Sequence, residues 1–344
     1  MSRPQLGFGL ITCQRYPGDG RSDADLYREA LGLAREAERL GFDSVWLSEH
    51  HFLDDAYMPS LLPVAAAFAA VTERVEIGTA LLLAPLYEPV RLAEDAATVD
   101  LLSRGRLVLG LGQGWREEEF EGLGIELRDR HRRLEDRVAT LRQAWSDGLV
   151  TGGETISYPG LAVTPKPARP GGPPVWIGAL AEPAVRRAGR IADGFMATEV
   201  TPDSFAEQVA WAREARERAG GDPETLATAL HLPTFAWDGD DAWERVRPYH
   251  HYVSWKYEDM EHARRRTGPP PAPPPLGAVE EEELRRSIVL GRPEDVAEEI
   301  LRFDQAGGGG VHYVARLYWP GMDPGLEREA MAVFAEEVAP VVRR

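Results

Sequence analysis

The residues best suited to chemistry stand together at Glu49-His50-His51, where the apolar run Val45-Trp46-Leu47 ends. Imidazole moves protons near neutral pH, and the carboxyl ends of parallel strands are where α/β barrels keep their reacting groups. Adjacent strand residues face opposite ways, so if strand geometry persists, His50 and His51 serve different surroundings. A metal site at Glu49, His50 and His51 needs convergent side chains and a further ligand. A histidine satisfied by hydrogen bonds at a strand end is the plainer alternative.

Two glycine-containing turns extend the set. Gly110-Leu111-Gly112-Gln113-Gly114-Trp115 follows an apolar run, but its spacing is not G-x-G-x-x-G. Close backbone approach to a ligand is therefore a better reading than a dinucleotide fold. Gly178-Ala179-Leu180-Ala181-Glu182-Pro183-Ala184 passes from a strand into a helix, where amides and the positive end of the dipole bind phosphate without a lysine. Arg186 or Arg187 either adds charge there or is a solvated helix residue, and Glu182 has to point away from a dianion. The aromatic run Tyr249 to Tyr257, with Tyr252 and Trp255, precedes a proline-rich loop, Thr267 to Gly277. It suits the wall of an apolar pocket with a stiffened lid, or else an aromatic helix packed on the barrel or a dimer contact. Glu49, Trp115 and Phe195 complete the candidate pocket lining.

The elements that position these residues alternate. Strands are predicted at Leu6 to Cys13, Ser44 to Ser48, Val75 to Leu83, Arg106 to Gly112, Val175 to Gly178, Gly194 to Thr198, Ala227 to Ala236 and Val311 to Leu317. Helical patterns separate them, and a last one, Pro324 to Val338, closes the count at eight of each. Eight βα units favour a closed (β/α)8 TIM barrel over an open doubly wound sheet. Residues 1–344 then form one domain, with insertions after strands four (148–173) and seven (240–290).

Fifty-six acids against 39 Lys plus Arg give a net charge of -17, which repels nucleic acid and anionic membranes and leaves an anionic cofactor dependent on local donors. The single cysteine, Cys13, excludes an intrachain disulfide and a thiolate metal cluster within one chain. The beginning Met1-Ser2-Arg3-Pro4-Gln5 lacks the apolar run of a secretion signal, so a soluble cytoplasmic protein is expected.

Phe42-Asp43-Ser44-Val45-Trp46-Leu47-Ser48-Glu49-His50-His51-Phe52, Gly78-Thr79-Ala80-Leu81-Leu82-Leu83 with Pro85 and Pro89-Val90-Arg91, Gly105-Arg106-Leu107 through Gly114, and Gly291-Arg292-Pro293-Glu294-Asp295 occur in that order. Together they resemble the bacterial luciferase-like flavin-dependent oxidoreductases over nearly the whole chain. The resemblance implies a barrel that holds FMN, or the deazaflavin coenzyme F-420, at the carboxyl face of its strands, often in a homodimer. It implies that His50 faces the flavin ring and handles a proton, that His51 braces the loop, and that Ala80-Leu81 forms a bulge beneath the ring, frequently with a cis peptide. Gly112, Gln113, Gly178, Ala179, Leu180, Ala181 and Ala184 are the expected cofactor contacts, although luciferases tend to carry an arginine where Gln113 stands. The expected activity is monooxygenation of a small, hydrophobic substrate with dioxygen and reduced FMN from a separate reductase. Hydride transfer with the deazaflavin is the alternative, and a barrel that binds without catalysis is a third. The sugar-phosphate dehydrogenase branch tends to have an acid where Trp115 stands, which argues against that substrate.

Overall fold

The computed structural model describes residues 3–260, 266 and 268–344; Met1 and Ser2 of the expected signal-free beginning and Thr267 of the proline-rich loop lie outside them. Eight strands form the wall: β1 (Gln5–Ile11), β2 (Ser44–Leu47), β3 (Glu76–Thr79), β4 (Leu107–Gly112), β5 (Val175–Gly178), β6 (Gly194–Ala197), β7 (Ala227–Ala236) and β8 (His312–Arg316). Every wall pairing is parallel, and β6–β7 and β8–β1 contacts close the ring. The fold is the (β/α)8 barrel expected from the sequence. No helix among the described residues is long and apolar enough to cross a membrane.

Inside the ring seven strands, with Ala80 just after β3, give one residue each to a packed layer: Leu10, Trp46, Ala80, Val108, Trp176, Met196, Ala229 and Val314. Two indoles in so narrow a space need bare backbone opposite them. A Cβ on Gly78 would lie 2.2 Å from the Trp46 ring, and one on Gly194 would lie 2.5 Å from Trp176. Glycine there permits the Trp46–Trp176 stack, 5.4 Å between ring centroids, that plugs the barrel below the site.

The strand placement of the site follows from local signals. Ser22 and Asp25 form a capping box for the helix Asp23–Leu40, and Gly41, at φ 85°, ends it in the left-handed conformation. The Asp43 carboxylate then accepts from the Leu6 amide at 2.8 Å, so β2 starts beside β1 and delivers residues 48–51 to the barrel mouth. The third strand is shorter than predicted. A cis Ala80–Leu81 peptide interrupts it, and Leu82–Leu83 resumes pairing with β4.

Two segments, 148–173 and 240–290, carry elements outside the eight βα units among the described residues. The first contains an antiparallel hairpin, Val150–Gly152 with Ser157–Leu161. The second opens with the helix Ala242–Asp259 and continues through Ala278–Arg286 to a short strand, Val289–Gly291, that extends the sheet beside β7. Lys256 ties the first of these helices down. Its ammonium is fully buried between Asp54 and Asp259, with Arg266 joining both carboxylates. Removing one member of a buried ion network strands the others, so Lys256→Met is expected to lower unfolding stability by about 3 kcal/mol. Urea unfolding measures this, and an unchanged midpoint would mean that Arg266 alone neutralises the pair.

Candidate active site

The carboxyl ends of the strands and the helix Ala242–Asp259 enclose a cavity of about 1650 Å³. His50 lies on its wall, its side chain 7% exposed, with Nδ1 2.9 Å from Glu119 Oε1. Burial alone would raise the Glu119 carboxyl. The His50 contact and the His51 amide, 2.9 Å from the same oxygen, overrule it and hold the acid below the usual carboxylate range. An ionised Glu119 fixes the proton of His50 on Nδ1, which makes Nε2 the nitrogen that can take up or release one. The rings of Tyr57, Tyr257 and Trp115 approach the imidazole edge-on.

His51 has different company. Its Nε2 lies 2.9 Å from Glu49 Oε1, and Tyr87 donates to the other oxygen of Glu49 at 3.0 Å. The two imidazoles are therefore separated, although not by strand alternation. β2 stops at Leu47, and residues 48–51 are irregular, so distinct acid partners do the sorting. Burial raises the Glu49 carboxyl, while His51 is raised by that acid against the opposing effect of its own burial. Glu49, His50 and His51 do not converge as a metal triad would.

The two glycine-containing turns meet across Leu81. A Cβ on Gly178 would lie 2.0 Å from Leu81 Cδ1, and one on Gly112 would lie 3.1 Å from Leu81 Cβ. Those glycines therefore make room for the Ala80–Leu81 ledge, which with Gly112, Gln113 and Gly178–Ala181 forms one continuous stretch of cavity wall. The helix Glu182–Ile191 starts without a side-chain cap, and Ala184 in its first turn also faces the cavity. Its glutamate is turned to Arg186, at 2.7 Å. Arg186 and Arg187 are engaged by Glu214 and Glu135, so the added charge imagined for them is spent on acids. Gln113 accepts at Oε1 from His131 Nδ1 at 2.7 Å, which keeps its NH2 group as a donor.

Trp115, Trp255 and Glu49 also line the cavity. Two expected pocket residues do not. Phe195 is fully buried in the outer core, because on β6 the inward positions are Gly194 and Met196. Tyr252 sits on the helix face turned from the cavity, where its hydroxyl donates to the Arg15 carbonyl at 2.9 Å and lies 3.3 Å from Asp55. Ser254, Trp255 and Glu258 occupy the cavity-facing stripe instead. Four residues that the sequence did not single out join the site or support it: Glu119, His131, His231 and Arg316.

Comparison with known proteins agrees with this architecture. The profile of the luciferase-like monooxygenases matches residues 6–309. The flavin-dependent trigonelline monooxygenase, oxygenase component, of Acinetobacter baylyi is 29% identical over 51% of this chain and 49% of its own length. The F420-dependent glucose-6-phosphate dehydrogenase of Nakamurella multipartita is 33% identical over 72% of this chain and 73% of its own. The chain spans about half the length of the first of these curated relatives. Among solved structures, a monooxygenase from Streptomyces bottropensis superposes with a TM-score of 0.80, at 22% identity, over 98% of this chain and 99% of that one. The match over residues 6–309 is decisive: the chain belongs to the luciferase-like monooxygenase family.

Proposed function

We propose that the protein is a flavin-dependent monooxygenase in which reduced FMN and dioxygen act on a small organic substrate, with His50 as the proton carrier. The observation that carries this reading is the His50–Glu119 pair at the cavity wall, 2.9 Å apart and buried, with Nε2 free to exchange a proton. The residues present fit a flavin mononucleotide. Gly178, Ala179 and Ala181 line the approach to an uncapped helix start, where amides and dipole suit a phosphate, and Gln113 adds a neutral donor. Bound FMN would supply the electrons that activate dioxygen, which no side chain here can do. Ala80 and Leu81, which line the cavity, would offer a bound ring a small, apolar floor. His50, oriented by Glu119, would deliver or remove the proton that the oxygenation requires, and Trp115, Trp255 and Tyr257 would keep bulk water out.

The dehydrogenase relative, at 33% identity over most of both chains, keeps a second reading in view: hydride transfer with coenzyme F-420. Trp115 argues against the sugar-phosphate substrate of that relative rather than against its coenzyme, and FMN is favoured by the likeness of Glu49-His50-His51-Phe52 and Gly78-Thr79-Ala80 to the luciferase pattern. Anaerobic reduced FMN mixed with the protein and then exposed to dioxygen distinguishes them. Reoxidation is expected to depend saturably on protein concentration. A rate identical to that of free FMN at every protein concentration would refute the oxygenase reading.

A further inference from the structure

The cavity holds a charged side chain that the chemistry above does not use. Arg316 ends β8, lines the cavity and is only 6% exposed. Pairing with β7 sets Arg316 beside Pro233 and Val314 beside His231. Val314 belongs to the inward layer, so alternation turns Arg316 into the barrel one step nearer the mouth. Among the described residues no acid pairs with its guanidinium, and its Nε has no hydrogen-bond partner. Its neighbour is the ring of Tyr257, 5.7 Å from the guanidinium carbon. Arg286, another arginine of this wall, is exposed and paired with Glu282. A buried cation without a counter-charge is costly unless an anion completes it, and such groups cluster at functional sites.

We propose that Arg316 anchors the carboxylate of the substrate, with His231 as its neutral hydrogen-bonding partner, and that the substrate class is therefore organic monocarboxylates. The proposal rests on the reading of this cavity as an oxygenase site. A guanidinium takes a planar carboxylate through two parallel N–H···O bonds. Burial, then the charge of Arg316, pushes the His231 imidazole down to about 3, so it offers a hydrogen bond and no second charge. One cation matches one negative charge. Glu199, Glu258 and Glu283 line the same cavity and add negative charge that disfavours a dianion such as a phosphate ester. Tyr257 lies against both ends of the arrangement, with its ring 5.8 Å from that of His50 and 5.7 Å from Arg316. A carboxylate held at Arg316 therefore leaves the apolar body of the same small molecule within reach of the His50 side of the cavity.

Calorimetric titration of the FMN-loaded protein with benzoate and octanoate, set against benzamide and octanamide, tests this directly. At least one acid is expected to bind ten-fold or more tightly than its amide. Arg316→Gln should abolish that preference while FMN affinity stays within a few-fold, and Arg316→Lys should retain part of it. Equal binding of acids and amides by the unaltered protein, a comparison that needs no variant, would overturn the proposal. So would an Arg316→Gln protein that still prefers acids, or one that loses FMN affinity instead, which would make the arginine a cofactor ligand. Failure to bind FMN with the acid preference intact in the FMN-free protein would sink the oxygenase reading and leave the anchor standing.

Discussion

His50→Ala is expected to lower steady-state turnover by ~10² or more while the FMN dissociation constant moves by no more than a few-fold. The asymmetry follows from geometry. His50 contributes one edge of a large cavity, whereas the ledge at Ala80–Leu81 and the turn at Gly178–Ala181 supply most of the expected cofactor contact. Glu119 acts through His50, so it is a positioning residue. Glu119→Gln keeps the shape and removes the charge that fixes the Nδ1 proton, and its signature is a displaced pH–rate profile as well as a lower rate. Unchanged turnover in His50→Ala would remove the imidazole from the mechanism.

The second large effect is on stability in mild acid. Burial pushes His231 down to about 3 and His250 and His312 to about 4; Arg316 adds to the effect at His231. An unfolded histidine titrates near 6.5. Between about pH 4 and about pH 6.5 the unfolded chain therefore binds more protons than the native one, and stability rises with pH across that window. As pH falls below 6.5 each group withdraws up to about 1.4 kcal/mol per pH unit, and three together withdraw up to about 4. Burial raises the Glu327 carboxyl to about 8 and also raises Glu49, Asp55 and Glu76, so the native state takes up protons at these acids as pH falls. Glu327 alone offsets about one histidine across the window, while Asp54 and Glu119, held low, add to the loss only from about pH 4 downward. Set against the opposing buried acids, the net loss over about two units is several kcal/mol, a substantial part of a typical margin of about 5–15 kcal/mol. Urea midpoints measured from about pH 7 down to about pH 4.5 should fall steeply. His312→Asn, which changes a buried histidine 2.7 Å from Ser44 and away from the cavity, should remove one histidine's share of the slope, up to about 1.4 kcal/mol per pH unit. A flat midpoint across that range would mean that the buried histidines do not control acid stability.

How much of this was legible in the sequence depends on which periodicity carried the information. The wall was readable because each strand is a short apolar run punctuated by glycine or proline, and eight such runs alternate with helices. His50, the Ala80–Leu81 ledge and the Gly178–Ala181 turn lie at strand ends, where strand order alone places them at the mouth. Facing was harder. Phe195 and Met196 are neighbours on one strand, and only the observed register tells which looks inward. Tyr252 and Trp255 likewise differ by a helical phase that the aromatic run does not reveal. Glu119 was hidden in Glu117-Glu118-Glu119, which reads as a solvated charged face. The burial of Glu119 beside Phe120, with Glu117 and Glu118 further out, becomes evident once the short helix is placed. Arg316 was masked by the apolar residues around it on β8. Its inward direction, and the lack of an acid partner among the described residues, emerge only in the closed ring.

In the proposed reading the cavity takes FMN, with a neutral donor and an uncapped helix start in place of an arginine for the phosphate. Equilibrium titration of the cofactor-free protein with FMN and, separately, with coenzyme F-420 tests it most directly. FMN is expected to bind the more tightly of the two. Binding of F-420 alone would contradict the oxygenase assignment, and binding of neither would contradict the reading of the cavity as a flavin site.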